Sequence, residues 1–274
     1  MTTFYRDVSH YDGAYKPTGP TAAKCTEGAT FTDPQFAGIR ARAKAAGFPF
    51  LPYHFLAHIN IAGQVAHVIA TIGTGVNVML DVESETGKPD PTLADVIAFA
   101  DLYAAKADGG RVILGYIPEW FWSGHWKQPS LAALSARHIG LVSSNYTTYS
   151  DTGPGWKPYG GVAPIIWQYT STGGDHNAFR GTLAQLAAVF AGETSTPTTE
   201  EDMPTADELV AAFMDYELPD GQTMKAYFQA NDARTSTAVN TQAPKIQDAL
   251  DAIVVNTTPA PPAPSPAMPL DPSA

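Results

Sequence analysis

Along the first 193 residues, short apolar runs alternate with stretches whose apolar positions repeat at helical spacing. Strands are predicted at 3–8, 48–55, 76–82, 111–117, 139–145 and 162–169, and helices at 33–46, 61–72, 92–107, 131–137 and 182–190. Strands alternating with helices of this length form a parallel or mostly parallel sheet, open or closed into a barrel. No GxGxxG or Walker loop follows any strand, which weighs against the nucleotide-binding versions. After residue 193 the pattern changes. Residues 194–204 are a Ser/Thr/Pro/acidic stretch too polar to bury itself, which is linker composition. Beyond it, Ile246, Leu250, Ile253 and Val254 share one helix face, so 205–256 reads as a small helical segment. Its large apolar groups are too few for it to fold alone, so it is expected to pack on the first domain or on a second copy of itself, as an oligomerisation or targeting element. Residues 257–274, with 7 Pro in 18 positions, read as a polyproline-like or disordered tail.

The barrel is selected by what sits at the strand ends. Asp7 follows Phe4-Tyr-Arg, Tyr53 and His54 end the second run, Asp81 and Glu83 the third, Tyr116 the fourth, and Gln168 with Tyr169 the last. Polar and aromatic groups collected at the carboxyl ends of apolar strands mark where a β/α barrel builds its site. Asp81 and Glu83 are two apart on a strand, so their carboxyl groups share one side at roughly 7 Å. Their repulsion beside apolar walls pushes one proton affinity up, and the longer Glu83 is the expected general acid. Such a pair suits protonation of a glycosidic oxygen while a second carboxylate or a substrate amide stabilises the sugar cation. Each residue also has a plainer reading: Asp-x-Glu as a solvated strand end, Asp7 as a cap, Asp175 in Thr172-Gly-Gly-Asp as a turn residue, His54 as a hydrogen-bonded strand-end histidine. The aromatics Trp120, Phe121, Trp122, Trp126, Tyr5, Tyr11, Tyr53, Tyr116 and Trp167 are dense enough to line a sugar-stacking groove or to fill a core.

Charge sharpens the division of the chain. Residues 1–193 carry 13 basic and 15 acidic side chains, whereas 194–274 carry 3 and 12. All 5 Trp, all 7 His and 10 of the 12 Tyr fall in the first part, where the chemistry is therefore sought. A net charge of −11 argues against nucleic acid and against anionic membranes as partners. The single cysteine, Cys25, cannot form an internal disulfide and reads as a small core residue. No basic, then apolar, leader opens the chain and no run of about 18 apolar residues occurs, so synthesis in a cytoplasm without a signal peptide, and no membrane insertion, are expected.

Five stretches resemble a known family in order and spacing. They are Asp7-Val-Ser-His-Tyr-Asp-Gly13, Lys24-Cys-Thr-Glu-Gly28 with Phe31-Thr-Asp-Pro-Gln-Phe36, Tyr53-His-Phe55, Leu80-Asp-Val-Glu83, and Trp167-Gln-Tyr-Thr-Ser171 with Gly174-Asp-His-Asn-Ala-Phe179. Together they resemble glycoside hydrolase family 25, the Chalaropsis-type lysozymes or N-acetylmuramidases, over about residues 3–192. The resemblance implies a flattened, irregular, TIM-like β/α barrel that cleaves the β-1,4 bond between N-acetylmuramic acid and N-acetylglucosamine in bacterial peptidoglycan, with no cofactor. It matches Glu83 to the proton donor, Asp81 to its neighbouring carboxylate, and Asp7 and Asp175 to the remaining site acids. The candidate groove residues are Tyr53, His54, Tyr116, Trp120, Trp167, Gln168, Tyr169 and Asn177. A bacteriophage endolysin acting on the wall after release is the implied setting. Departures are Cys25 in place of a small residue, the loss of Trp and Ala from 139–146, and His176 where an apolar residue is usual.

Two competing classes remain at this stage. A metal-dependent peptidoglycan deacetylase or amidase could draw on Asp7, His54, Asp81 and Asp175, although no HxxxH or HxxEH pair is present. A non-catalytic wall-binding virion protein could keep the barrel, although retention of all four acids argues against it.

Overall fold

The computed structural model describes residues 1–193 and, beyond them, Met214 alone. The linker, helical segment and Pro-rich tail expected over 194–274 lie outside the described residues. In chain order the strands are β1 (Thr2–Val8), β2 (Thr21–Glu27), β3 (Phe31–Thr32), β4 (Phe50–Phe55), β5 (Val78–Asp81), β6 (Val112–Tyr116), β7 (Gly140–Ser144), β8 (Pro164–Thr170) and β9 (His176–Arg180). The helices are α1 (Phe36–Ala45), α2 (Ile61–Ile72), α3 (Leu93–Lys106), α4 (Glu119–Gly124), α5 (Ala132–Ser135) and α6 (Leu183–Phe190). The sheet runs β1-β9-β8-β7-β6-β5-β4-β2, and parallel pairing of β1 with β2, Asp7 opposite Ala22, closes it into an eight-stranded barrel. β9 alone runs antiparallel to both of its neighbours, and β3 is a two-residue hairpin strand on β2.

Alternation along the strands sorts the side chains into two layers. Tyr5, Leu51, Met79, Leu114, Val142, Ile166 and Phe179 fill the barrel interior. Leu186, Val189 and Phe190 of α6 join that cluster, with Phe190 edge-on to Tyr5 at 5.5 Å, so α6 stops the end of the barrel where the parallel strands begin. The carboxyl end is left open. The neighbouring residues in register, Ala23, Cys25, Leu80, Val82 and Leu141, face outward into a layer shared with α1, α2 and α3. Each large apolar side chain buried there contributes about 1.5–3 kcal/mol. The helices start where side chains satisfy their free N–H groups: Asn60 caps α2, and reciprocal Thr92/Asp95 and Thr182/Gln185 bonds cap α3 and α6. Among the described residues no helix is long and apolar enough to cross a membrane.

Several expectations shift. The helix expected from residue 33 begins at Phe36, because the Asp33 carboxylate accepts from Gln35 N and His10 N and so caps a turn instead. The helix expected over 131–137 is the single turn of α5, ended before His138 at φ 57°. β2, β3, β9 and α4 were not expected as elements. β2 hides its period behind Ala, Lys, Cys and Thr, six of its seven residues being buried.

On the side without long helices, the Trp167 indole of β8 is fully buried, edge-on to Trp156 of the turn Pro154–Trp156. A Cβ on Gly155 would come within 2.2 Å of that indole, so only glycine fits there. Gly155→Ala is expected to lower the unfolding free energy by about 1–3 kcal/mol, read as a lower denaturant midpoint at unchanged m.

Candidate active site

The open end of the barrel holds a cavity of about 210 Å³ whose walls come from nearly every strand. Asp7 near the end of β1, Asp81 at the end of β5, Glu83 two residues on and Asp175 just before β9 all line it. Tyr53, Tyr116, Gln168 and Asn177 line it as well. Of the twelve site residues taken from sequence, eight therefore meet in one place.

The other four do not line the cavity. His54 is fully buried on the opposite face of β4, its Nδ1 2.8 Å from Thr26 Oγ1, its Nε2 3.0 Å from Gln64 Oε1, and its ring stacked on Phe99 at 5.0 Å. Strand alternation sends it outward because Tyr53 points in. The same alternation turns Trp167 and Tyr169 outward on either side of Gln168, into an aromatic cluster with Trp156, Tyr149 and Phe4. Trp120 is nearly half exposed on α4, outside the cavity lining. With His54 behind the wall, Asp7, His54, Asp81 and Asp175 are not assembled as a metal set. Sequence reasoning in turn missed Ser9, Lys24, Phe55 and Tyr146 as wall residues and Met79 and Val142 as the floor, whereas Tyr11, one of the aromatics read as groove or core, does line the wall. The period-2 rule would have found Phe55 and Met79, two positions from Tyr53 and Asp81. Lys24 stood in a motif already singled out.

Hydrogen bonds fix one half of the site. Tyr116 Oη and Tyr146 Oη both donate to Gln168 Oε1, at 2.8 and 2.7 Å. That leaves Gln168 Nε2 to donate to Asp7 Oδ2 at 3.1 Å, where Asn177 Nδ2 also donates at 2.5 Å. Asp7 is thus held as an acceptor, although burial outweighs these donors and raises its proton affinity. Asp81 is different: its Oδ1 is sealed from solvent without a hydrogen-bond partner.

All four acids are shifted upward, rather than one of a pair. Burial is the leading cause each time; repulsion from the other site acids adds to it on Asp81, Glu83 and Asp175, and repulsion from Asp12 on Asp7. Glu83 is pushed up to about 7 by burial and then by Asp7, with Lys24 opposing. Asp175 also reaches about 7, through burial, Asp7, Asp12 and Glu83, against Arg6. Asp81 lies well above the carboxylate range, through burial and the nearby Glu83. At neutral pH the cluster therefore keeps protons that isolated carboxylates would lose, and Glu83 is poised to give one up or take it back. Cys25, buried behind β2 with its thiol pushed up to about 12 by desolvation, is inert packing.

A barrel carrying carboxyl groups of this kind at the carboxyl ends of its strands suits cleavage of a glycosidic bond by general acid catalysis. The chain belongs to glycosyl hydrolases family 25, whose profile matches residues 6–177. The fold is shared with a muramidase from Trichobolus zukalii, at 24% identity and a TM-score of 0.55 over 69% of this chain and 99% of that one. It is shared also with the bacterial lysozyme from Streptomyces coelicolor, at 20% and 0.58 over 70% and 98%, and with a family GH25 lysozyme from Aspergillus fumigatus, at 21% and 0.56 over 69% and 99%. No curated protein matches the chain.

The raised proton affinities have a thermodynamic consequence. Glu83 binds its proton more tightly folded, at about 7, than unfolded, so its contribution to stability is full below about pH 4 and is lost as pH rises through 7. Because one repulsion is shared among four groups, removing one charge recovers part of the displacement. Glu83→Gln is expected to raise the unfolding free energy at pH 8 by on the order of 1–2 kcal/mol, with no gain at pH 4, in parallel denaturant titrations.

Proposed function

We propose that this chain is a peptidoglycan hydrolase, an N-acetylmuramidase that cuts the β-1,4 bond between N-acetylmuramic acid and N-acetylglucosamine. The observation that carries the reading is the gathering of Asp7, Asp81, Glu83 and Asp175 in one cavity with Glu83 shifted to about 7. Glu83 donates its proton to the glycosidic oxygen as the C1–O bond breaks. The 2-acetamido carbonyl oxygen of the muramic acid attacks C1 from the other side, giving an oxazolinium ion. Asp81, which lines the cavity at the end of β5, accepts the acetamido N–H and aligns that attack. Water then attacks C1 as the ring C1–O bond of the oxazolinium breaks and the acetamido group is restored, and it gives a proton to the Glu83 carboxylate, restoring the acid. Asp7, held as an acceptor by Asn177 and Gln168, stabilises the sugar cation, and Asp175 lines the cavity beside it. Tyr53, Tyr116 and Tyr146 give the groove its aromatic walls.

The catalytic unit is read as 1–193, with the linker, helical segment and tail as accessory parts that target or oligomerise it. A bacteriophage endolysin that reaches the wall after release is the biological setting the family resemblance suggests, and lysis of susceptible bacteria by added protein is its test.

Mass spectrometry of purified peptidoglycan digested by the wild type is expected to show new reducing ends at muramic acid, unchanged by EDTA. Glu83→Gln is expected to cut the rate by roughly 10²-fold or more. Deacetylated sugars or freed peptides, especially if EDTA-sensitive, would move the assignment to a metal hydrolase, and no cleavage on any wall chemotype to a binding protein. Participation of the acetamido group gives retention, so proton NMR of the fresh product is expected to show the β anomer first; the α anomer would replace that step with direct attack by water.

A further inference from the structure

Lys24 is the cation lining the cavity among the described residues, and neither the proton transfer nor the acetamido step above uses it. Its side chain is almost fully buried, with Nζ 4.6 Å from the Phe55 ring centroid and 2.5 Å from Glu27 Oε2. Two residues three apart on a regular strand point to opposite faces. The pairing of β2 with β4 is irregular here: Lys24 lies opposite Tyr53 and Thr26 opposite His54, so Cys25 is an extra residue. That β-bulge resets the alternation. It turns Thr26 outward beside His54 and brings Glu27, opposite Phe55, round to the Lys24 side. Glu27 also meets Lys88 of the loop after β5 at 3.6 Å, and Lys88 pairs with Glu85 at 2.6 Å.

We propose that Lys24, anchored by Glu27 across the β-bulge at Cys25, is the positioning residue whose charge sets how many protons the Asp81 and Glu83 pair holds at neutral pH. The titratable groups that share the cavity with Glu83, besides Lys24, are the acids Asp7, Asp81 and Asp175 and the phenols Tyr11, Tyr53, Tyr116 and Tyr146, none of which is a cation. Arg6, the next cation, is engaged with Asp12 and the Asp175 carbonyl. Lys24 therefore opposes the repulsion acting on Glu83 and on Asp81. Glu27 both holds the ammonium in place and partly neutralises it, so removal of either partner acts in opposite directions on Glu83. Lys88 is 55% exposed and contributes far less, its field being screened by water.

This inference rests on the muramidase reading only for its kinetic consequence. The test is a carbon-13 carboxyl titration of the full chain, with the Glu83 resonance assigned by its loss in Glu83→Gln. Lys24→Met is expected to move the Glu83 midpoint up by about one pH unit. Glu27→Gln is expected to move it down by a smaller step, the double variant to lie between the two, and Lys88→Ala to leave it close to wild type. A Glu83 midpoint unmoved in a natively folded Lys24→Met, or moved the same way by both single changes, would overturn the proposal. The titration needs no turnover, so it stands or falls independently of the digestion experiment. Where hydrolysis is measured in parallel, the alkaline fall of kcat/KM should move with the midpoint, whereas a Lys24 that only binds sugar would change KM and leave the profile in place.

Discussion

Four carboxyl groups facing one another across the mouth of a barrel repel, and taking them out of water makes full ionisation more costly still. The rest of the structure is organised around that repulsion. Below the acids the interior is apolar, sealed by Phe190 and its neighbours on α6, so the lower barrel offers no polar exit for their charge. Two amides, Gln168 and Asn177, converge on Asp7, and two phenols orient the first of them. One buried ammonium, Lys24, opposes the repulsion on Glu83 and Asp81, and Arg6 opposes it on Asp7 and Asp175. What the surroundings leave unneutralised is expressed as retained protons on Glu83, Asp81 and Asp175. A general acid at neutral pH is thus a property of the ring of strands, not of one side chain.

Closure of the barrel through β1 and β2 is what brings these groups together. Asp7 comes from the first strand, Asp175 from the turn into the ninth beside it and Asp81 from the fifth, and without the β1–β2 pairing Asp7 and Asp175 would sit at one edge of the sheet and Lys24 of β2 near the other. The antiparallel β9 serves the same end. By running back between β1 and β8 it sets Asn177 opposite both Tyr5 and Gln168, beside Asp7. The turn that permits this carries Gly173 and Gly174 at positive φ, and Gly174 is packed so closely on the Arg6 guanidinium that a side chain would displace it.

Much of this was legible in the sequence because burial imposes period. The six strands with Val, Ile, Leu or Phe cores and the three long helices were found nearly to their ends, and the acids stood out as polar groups closing apolar runs. Where small or charged residues occupy inward positions, the period vanishes. β2 was therefore missed although it carries Lys24, and β9 was missed behind its glycine turn. His54, Trp167 and Tyr169 show the opposite error. Proximity along the chain to a true site residue was taken as proximity in space, although on a strand the adjacent residue faces away. The bulge at Cys25 lies beyond any such rule, since one inserted residue reverses the parity and only the pairing of β2 with β4 reveals it.

A proton held on Glu83 near neutral pH by its neighbours, and spent on the glycosidic oxygen, is most directly tested by the pH dependence of kcat/KM on solubilised peptidoglycan glycan. A rate that falls above about pH 7 with the slope of a single ionisation is expected from the Glu83 shift. A rate that stays level well into the alkaline range would contradict it, since the donor would then have lost its proton without loss of activity.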